Sequence, residues 1–558
     1  MTRWFPALLL AVAPALATAQ VVAERAALST ASPAATKIGL SVLASGGNAI
    51  DAAVAVSFAL AVSHPQAGNI GGGGFLVYYD AADDAVWTLD YREVAPARAT
   101  RQMYLDAEGK PRKNASTVGP LATAVPGAVA GLAEMHERFG SMGWRELVEP
   151  AVRLARDGFV WRNIDVLHLA EAQKLREIDR FPATAELLFP GGSALETGAL
   201  VRQPRLARTL DRIARHGARE FYEGATSRMI LDAMRSEGGI ISARDLREYR
   251  PVWRAPIRID DRDHQIYTMA PPSAGGLLLG EMLQILEPYD LQSFGFQSAG
   301  YVHLLAEIER RAFLDRNRFI GDPAATRIPY AMLFSAERAA TWRRSIDLHR
   351  ASSTRALTDT AVTPAPAGET THFSIVDPHG NIASITTTLN TFFGSGYLVP
   401  EGGFFLNNEM DDFTSAPGQP NAYGLVQGDA NAIEPGRKMA SSMSPTIVFR
   451  GGEPLLVLGS PGGGAIPTIV LQVFLNVTEF GMSLVEAVEA PRYHHQAWPD
   501  EISWERDRTD LEFVTTLNRM GHATRQVDSI GDVHALMFRD GKIHAVADTR
   551  REGLAGGF

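Results

Sequence analysis

The stretch GETTHFSIVDPHGNIASITTTLNTFFG (Gly368–Gly394) puts two threonines, Thr370 and Thr371, at the start of a strand-like run, directly after the aperiodic segment ASSTRALTDTAVTPAPAG. A threonine hydroxyl is a poor nucleophile without a base beside it. If the chain is cut before Thr370, the new α-amine is such a base, with an ordinary pKa of about 7.7–8.0 that suits proton transfer at neutral pH. The same hydroxyl could make the cut by attacking the carbonyl of Glu369 through a five-membered ring, with water hydrolysing the ester that results. A plain loop-to-strand boundary fits the dipeptide equally, because threonine is common in strands.

A second stretch able to do chemistry is GSPGGG (Gly459–Gly464), which lies between strand-like LLVLGS and helix-like AIPTIVLQVFLNVTEF. Backbone N–H groups at such a helix start can hold a developing oxyanion. Other hydrolase signatures are missing: there is no G-x-S-x-G elbow, HExxH pair or Walker loop. The four glycines Gly71–Gly74 lack dinucleotide-binding spacing. His494-His495 has no carboxylate at ligand spacing and reads as a hydrogen-bonding pair, so neither a metal nor a cofactor is expected.

These residues need elements to position them. HFSIVD, the DPHGN turn and IASITTTLN read as a hairpin, and TIVFR, GGEP and LLVLGS as a second one. Upstream, helical periodicity dominates. WRELVEPAVRLARDGF places Leu147, Val148, Ala151, Val152 and Ala155 on one face, and GGLLLGEMLQILEPYD and YVHLLAEIERRAFLDRNRF behave alike. GFLVYYDAADDAVWTLDYRE adds strands, so the chain alternates α and β. Ala351–Gly368, rich in Ser, Thr, Ala and Pro, reads as a flexible connector.

With 558 residues the chain can bury a large core, and its net charge of −10 without a Lys/Arg run argues against nucleic acid. It has no cysteine, which removes disulfides, thiolate sites and a cysteine nucleophile. MTRWFPALLLAVAPALATAQ has a charged start, a short apolar stretch and an Ala-Thr-Ala cleavage pattern. Residues 1–19 therefore read as a signal peptide, and the expected location is periplasmic or secreted, with no membrane anchor once the signal is removed. The other apolar stretch, Ala49–Val62, contains Asp51 and Ser57 and reads as a buried helix.

In order along the chain, ETTHFSIVD, TTTLNT, LNNEMDDF, SSMSPT and GSPGGG resemble the small-subunit motifs of the γ-glutamyltransferase (γ-glutamyl transpeptidase) family, which belongs to the N-terminal nucleophile hydrolases. GGNAIDAAVA, HPQAGNIGGGGF, DYREVAPARA and VPGAVAGL extend the resemblance upstream, and ADTRREGLAGGF downstream. The resemblance implies a four-layer α/β/β/α sandwich formed by two intertwined fragments of one precursor, a large subunit of residues 20–369 and a small catalytic subunit of residues 370–558. It implies autocatalytic cleavage at Glu369-Thr370, with glutathione and other γ-glutamyl compounds as donors and water, amino acids or dipeptides as acceptors.

Carried over position by position, Thr370 matches the nucleophile and Thr388 the threonine that assists it. Gly462 and Gly463 match the oxyanion donors. Arg92 matches the clamp on the substrate α-carboxylate, completed by Ser441 and Ser442, and Asn390, Glu409 and Asp412 match the residues that take the α-ammonium. Tyr423 matches the aromatic of a lid over the glutamyl pocket, in a Pro- and Gly-rich segment as a lid would be. The chain departs from many relatives at Gly464-Ala465-Ile466-Pro467, where they carry Ser-Arg-Ile, and has Glu409 where some bacterial relatives have Gln. Two neighbouring activities fit the same fold, a cephalosporin or glutaryl acylase and a polyglutamate-type transpeptidase. Retention of Glu409 and Asp412 speaks against the first, and the long lid against the second.

Overall fold

The structure is a computed structural model that describes residues 20–358, 370–416 and 418–558. The leader read at residues 1–19 and Glu369, with the segment before it, lie outside the described residues.

Two seven-stranded antiparallel sheets form the centre. One runs Leu554–Gly557, Ala27–Thr30, Thr370–Val376, Ile382–Thr388, Gly73–Asp80, Ala85–Asp90 and Val252–Arg254. The other runs Gln20–Ala23, Lys542–Ala547, His534–Arg539, Glu453–Leu458, Thr446–Arg450, His264–Thr268 and Ile257–Asp261. Val77, Val376 and Ile382 of the first meet Ile447, Val457 and Leu536 of the second in one apolar layer between the sheets. The helices Pro33–Ala44, Ala49–Ser63 and Trp144–Asp157 cover the outer face of the first sheet, and Gly275–Leu286, Ala299–Phe319 and Ile466–Thr478 that of the second. This is the expected α/β/β/α layering. Strands from before and after Thr370 share both sheets: Lys542–Ala547 through Thr446–Arg450 are flanked by Gln20–Ala23 on one side and His264–Thr268 on the other, and Thr370–Val376 with Ile382–Thr388 lie between Ala27–Thr30 and Gly73–Asp80.

The local reasons are legible. All fifteen residues of Ala49–Ser63 are buried. Its one acid, Asp51, is satisfied by the backbone N–H of Asn48, Ser141 and Met142. Trp144–Asp157 turns Leu147, Val148, Ala151, Val152 and Ala155 inward, as the period requires. No helix among the described residues is long and apolar enough to cross a membrane.

The connector departs from its linear reading over residues 351–358. Thr354–Leu357 forms a helical turn, and Thr354 is fully buried. Asp500 accepts the Thr354 N–H at 2.7 Å, Glu307 accepts that of Ser352 at 2.9 Å, and Arg310 donates to the Thr354 hydroxyl at 2.6 Å. Composition missed this because the partners come from a distant helix and loop. Glu307 and Arg310 are buried charges, and Asp500 a half-buried one, that need polar groups brought to them.

Candidate active site

The first hairpin closes through Asp377, whose Oδ1 accepts the N–H groups of His379 and Asn381, with Gly380 at φ +86°. That turn fixes the register, pairing Val376 with Ile382 and, at the open end, Thr370 with Thr388. The Thr370 hydroxyl donates to Thr388 Oγ1 at 3.4 Å, and the Asn390 N–H reaches the same oxygen at 2.8 Å. Asn390 holds φ +78°, uncommon for a non-glycine residue, at the point where the chain leaves the strand.

The glycines Gly71–Gly74 have a use that the sequence reading did not assign. Their segment presses against the hairpin so closely that a Cβ on Gly72 would lie 2.0 Å from the Thr388 carbonyl oxygen. One on Gly74 would lie 2.5 Å from that of Thr386. They are spacers for the strand next to the threonine pair.

Gly462 and Gly463 lie between the Glu453–Leu458 strand and the Ile466–Thr478 helix, at φ +136° and +55°. Among the described residues no hydrogen bond takes the N–H of either glycine. Gly463 is pinned from above, because a Cβ there would lie 2.0 Å from Tyr423 Cδ1. The Tyr423 hydroxyl donates to the Asn390 carbonyl oxygen, so the ring bridges the glycine loop and the end of the hairpin.

Thr370, Thr388, Asn390, Tyr423, Gly463, Arg92, Glu409, Asp412, Ser441 and Ser442 line one cavity of about 280 Å³; Gly462 lines an adjoining one. Thus ten of the eleven residues singled out from the sequence share a wall, although Arg92 and Gly463 are 371 positions apart. Among the described residues nothing hydrogen-bonds to the buried Arg92 Nε, Glu409 Oε1, Asn390 Oδ1 or Ser442 Oγ of this lining.

The charges are arranged differently from two separate clamps. Arg92 Nη1 sits 2.8 Å from Glu409 Oε2, and Nη2 sits 2.5 Å from Asp412 Oδ2. Buried opposite charges must neutralise one another when no ligand does so. Two further charges join them. Glu93 lies 3.6 Å from Arg92, and Arg316 lines the cavity while donating to Gln427 Oε1 at 2.7 Å. Neither was found by sequence reasoning. Glu93 is hidden by its neighbour Arg92, and Arg316 lies in the Ala299–Phe319 helix, which the sequence reading used only for its apolar period.

Burial works against every one of these charges. It raises Glu93 to about 7, and lifts Glu409 well above the carboxylate range against the pull of Arg92. It raises Asp412 as well and lowers Arg316 to about 10. Burial also disfavours the charged form of Arg92, but Glu409, Glu93 and Asp412 together hold its pKa above the ordinary value. The cavity is lined by two guanidiniums, Arg92 and Arg316, and two carboxyls, Glu409 and Asp412, with Glu93 3.6 Å from Arg92 but outside the lining. The raised carboxyls hold protons that a cationic ligand would displace.

His494 and His495 are bound as ordinary polar residues. His494 meets Thr468 Oγ1 and Gln496 Oε1, each at 2.9 Å, and His495 meets Asp500 at 3.3 Å.

Comparison with known proteins adds an independent line. A family model described as gamma-glutamyltranspeptidase matches residues 35–558. The glutathione hydrolase proenzyme of Escherichia coli (strain K12) is 40% identical over 513 residues, covering 91% of this chain and 87% of that one. Among solved structures, the cephalosporin acylase from Bacillus halodurans matches with a TM-score of 0.84 at 25% identity, over 97% of both chains. The gamma-glutamyltranspeptidase from Pseudomonas nitroreducens matches with a TM-score of 0.55 at 38% identity, covering 58% of this chain and 95% of that one.

Proposed function

The chain belongs to the gamma-glutamyltranspeptidase family, and from that premise we propose that it cleaves itself before Thr370 and then transfers or hydrolyses the γ-glutamyl group of glutathione and related amides. The observation that carries this reading is the shared cavity. It sets the Thr370–Thr388 pair beside Arg92, Glu409 and Asp412, whose buried charges pair with one another.

In the precursor, the Thr370 hydroxyl attacks the Glu369 carbonyl carbon. The C–N bond breaks, the nitrogen leaves as the Thr370 α-amine, and water hydrolyses the ester to a Glu369 carboxylate. Residues 351–358 ahead of the cut are packed against Asp500 and Glu307. The result is a large subunit of residues 20–369 and a small one of residues 370–558, interleaved in one unit.

In turnover the α-amine takes the Thr370 hydroxyl proton as the oxygen attacks the γ-glutamyl carbonyl, with Thr388 Oγ1 accepting a hydrogen bond from that hydroxyl. Gly462 and Gly463 N–H groups hold the oxyanion, and one such donor is typically worth about 3–4 kcal/mol to the transition state. The amine product leaves with the proton. Water or an acceptor amine then attacks the ester, giving glutamate or a new γ-glutamyl amide and restoring Thr370. A two-step exchange of this kind predicts ping-pong kinetics.

The glutamyl end is a zwitterion, and that is what the cluster can take without burying net charge. Its α-ammonium pairs with Glu409, Asp412 and Asn390 Oδ1 and draws the protons off the raised carboxyls. Its α-carboxylate replaces carboxylates at Arg92, with the Ser441 and Ser442 hydroxyls donating. A glutaryl group would bring a further carboxylate and no cation, which is unfavourable here. The leader pattern at residues 1–19 supports a periplasmic or secreted location.

The test is release of the aromatic amine from a γ-glutamyl anilide and from the matching glutaryl anilide, alongside intact mass. Two fragments divided at Thr370 with strong preference for the glutamyl donor support the reading. One uncut chain, or equal use of both donors, would sink it.

A further inference from the structure

A second cavity, of about 1360 Å³, opens on the far side of Tyr423. Its lining begins at the glycine loop, with Gly462, Gly464 and Ala465, while Gly463 faces the charged cavity. Tyr423 lines both. A carbonyl held by the N–H groups of Gly462 and Gly463 therefore sits at the boundary, its acyl side in the charged cavity and its amine side in the larger one.

The boundary is built rather than incidental. Gln496 donates to the Tyr423 carbonyl oxygen at 2.8 Å and to that of Trp498 at 2.9 Å, and its Oε1 meets His494. A Cβ on Gly464 would lie 2.4 Å from Gln496 Oε1, so position 464 must be small for this brace to form. Gly464 and Ala465 leave the loop side of the second cavity uncharged.

Charge enters from the opposite wall. Arg525 stands on the Thr524–Val527 strand, paired in parallel with Ile502–Glu505. Glu501 lies 2.6 Å from its Nε, and Ser503 Oγ accepts from Nη2 at 3.1 Å. Among the described residues nothing takes Nη1, and the side chain is 46% exposed. Of the other charges of the cavity, Asp528 faces Arg506 at 3.3 Å, and Arg551 acts through its charge on the largely buried Glu171. His494 is kept neutral at ordinary pH by burial.

We propose that the second cavity holds the amine half of the reaction, and that Arg525 binds the carboxylate of the departing peptide and of the amino acid or dipeptide that replaces it. This rests on the γ-glutamyl reading above and adds a specificity residue to it. An acceptor with a free carboxylate pairs with Nη1, whereas its amide offers no charge to a guanidinium already half neutralised by Glu501.

The experiment compares Gly-Gly with its C-terminal amide as acceptors of the γ-glutamyl group from a γ-glutamyl anilide, reading the ratio of the two acceptor kcat/KM values. The ratio cancels any loss common to both acceptors. The expected result is a preference for Gly-Gly of about tenfold or more, carried in KM. It collapses to about one in Arg525→Gln and partly returns in Arg525→Lys. A ratio near one in the unaltered protein, or a ratio that Arg525→Gln leaves in place, overturns the assignment. Failure to release the anilide at all would instead strike the γ-glutamyl reading on which the assignment stands.

Discussion

Arg92 carries the sharpest stability prediction. Its guanidinium is 1% exposed and touches Glu409, Asp412 and, more loosely, Glu93. Arg92→Met removes the cation and leaves three buried carboxyls facing one another. Breaking a buried pair by deleting one partner costs about 3–5 kcal/mol, which for a chain of this size lowers Tm by roughly 3–4 °C. The deficit should depend on pH with a definite sign. At pH 8 the orphaned carboxylates are charged or must be forced to protonate, whereas at pH 5 they are neutral at little cost, so the Tm loss is larger at pH 8. Adding Glu409→Gln and Asp412→Asn removes the uncompensated charge and should return most of the stability while leaving γ-glutamyl transfer abolished. Calorimetry at the two pH values, with anilide release on the same samples, measures both. A single variant as stable as the unaltered protein at pH 8, or a triple variant no better than the single, would refute the reasoning that this cluster is a mutually neutralised ligand site.

Three further outcomes follow from the same coordinates. Gly463→Ala forces a Cβ to 2.0 Å from the Tyr423 ring at φ +55°, so kcat should fall about 100-fold through displacement of an oxyanion donor. Combining it with Tyr423→Ala should cost less than the sum of the two, and strict additivity would mean that the ring is not what the new methyl group strikes. Glu93 holds its proton up to about 7 and burial raises Glu409 as well, while an ammonium ligand favours the ionised carboxylates. KM for a γ-glutamyl donor should therefore rise as pH drops through about 7, and KM for a glutaryl donor should not; parallel profiles would contradict the cluster's role. His494, lowered to about 4 by burial, is uncharged when folded but takes a proton below about 6.5 when unfolded. Stability should thus decline as pH falls from 6.5 to 4, by up to about 3 kcal/mol from this group. His494→Gln should show a smaller drop in Tm between pH 7 and pH 5, and an unchanged drop would remove His494 from the account.

Much of the site could be read from the sequence where the information is local. The DPHGN turn sets the hairpin register, and the register alone brings Thr370 opposite Thr388. The run from strand through GSPGGG into a helix is likewise local, and it exposes backbone N–H groups wherever the rest of the chain goes. Apolar periodicity placed Leu147, Val148 and their neighbours inward for the same reason, since a helix face is decided by residues three and four apart.

What the linear order could not decide was who neutralises whom. Arg92 and Asp412 are 320 positions apart, and whether they clamp two ends of a ligand or one another depends on both being buried in the same place. The same holds for Arg316 and Glu93, whose inward position follows from packing around the cavity, and for Asp500 and Glu307, which hold residues 351–358 against a composition that reads as loose. The wall between the two cavities is a further case. It needs Tyr423, Gly463 and Gln496 to meet across three separate loops. Sequence alone determined the chemistry available to this protein, because hydroxyl, amine and N–H donors act through their local chain geometry. Tertiary structure alone decided the charge state of the pocket and its division in two, because burial and pairing sum over groups that the chain keeps far apart.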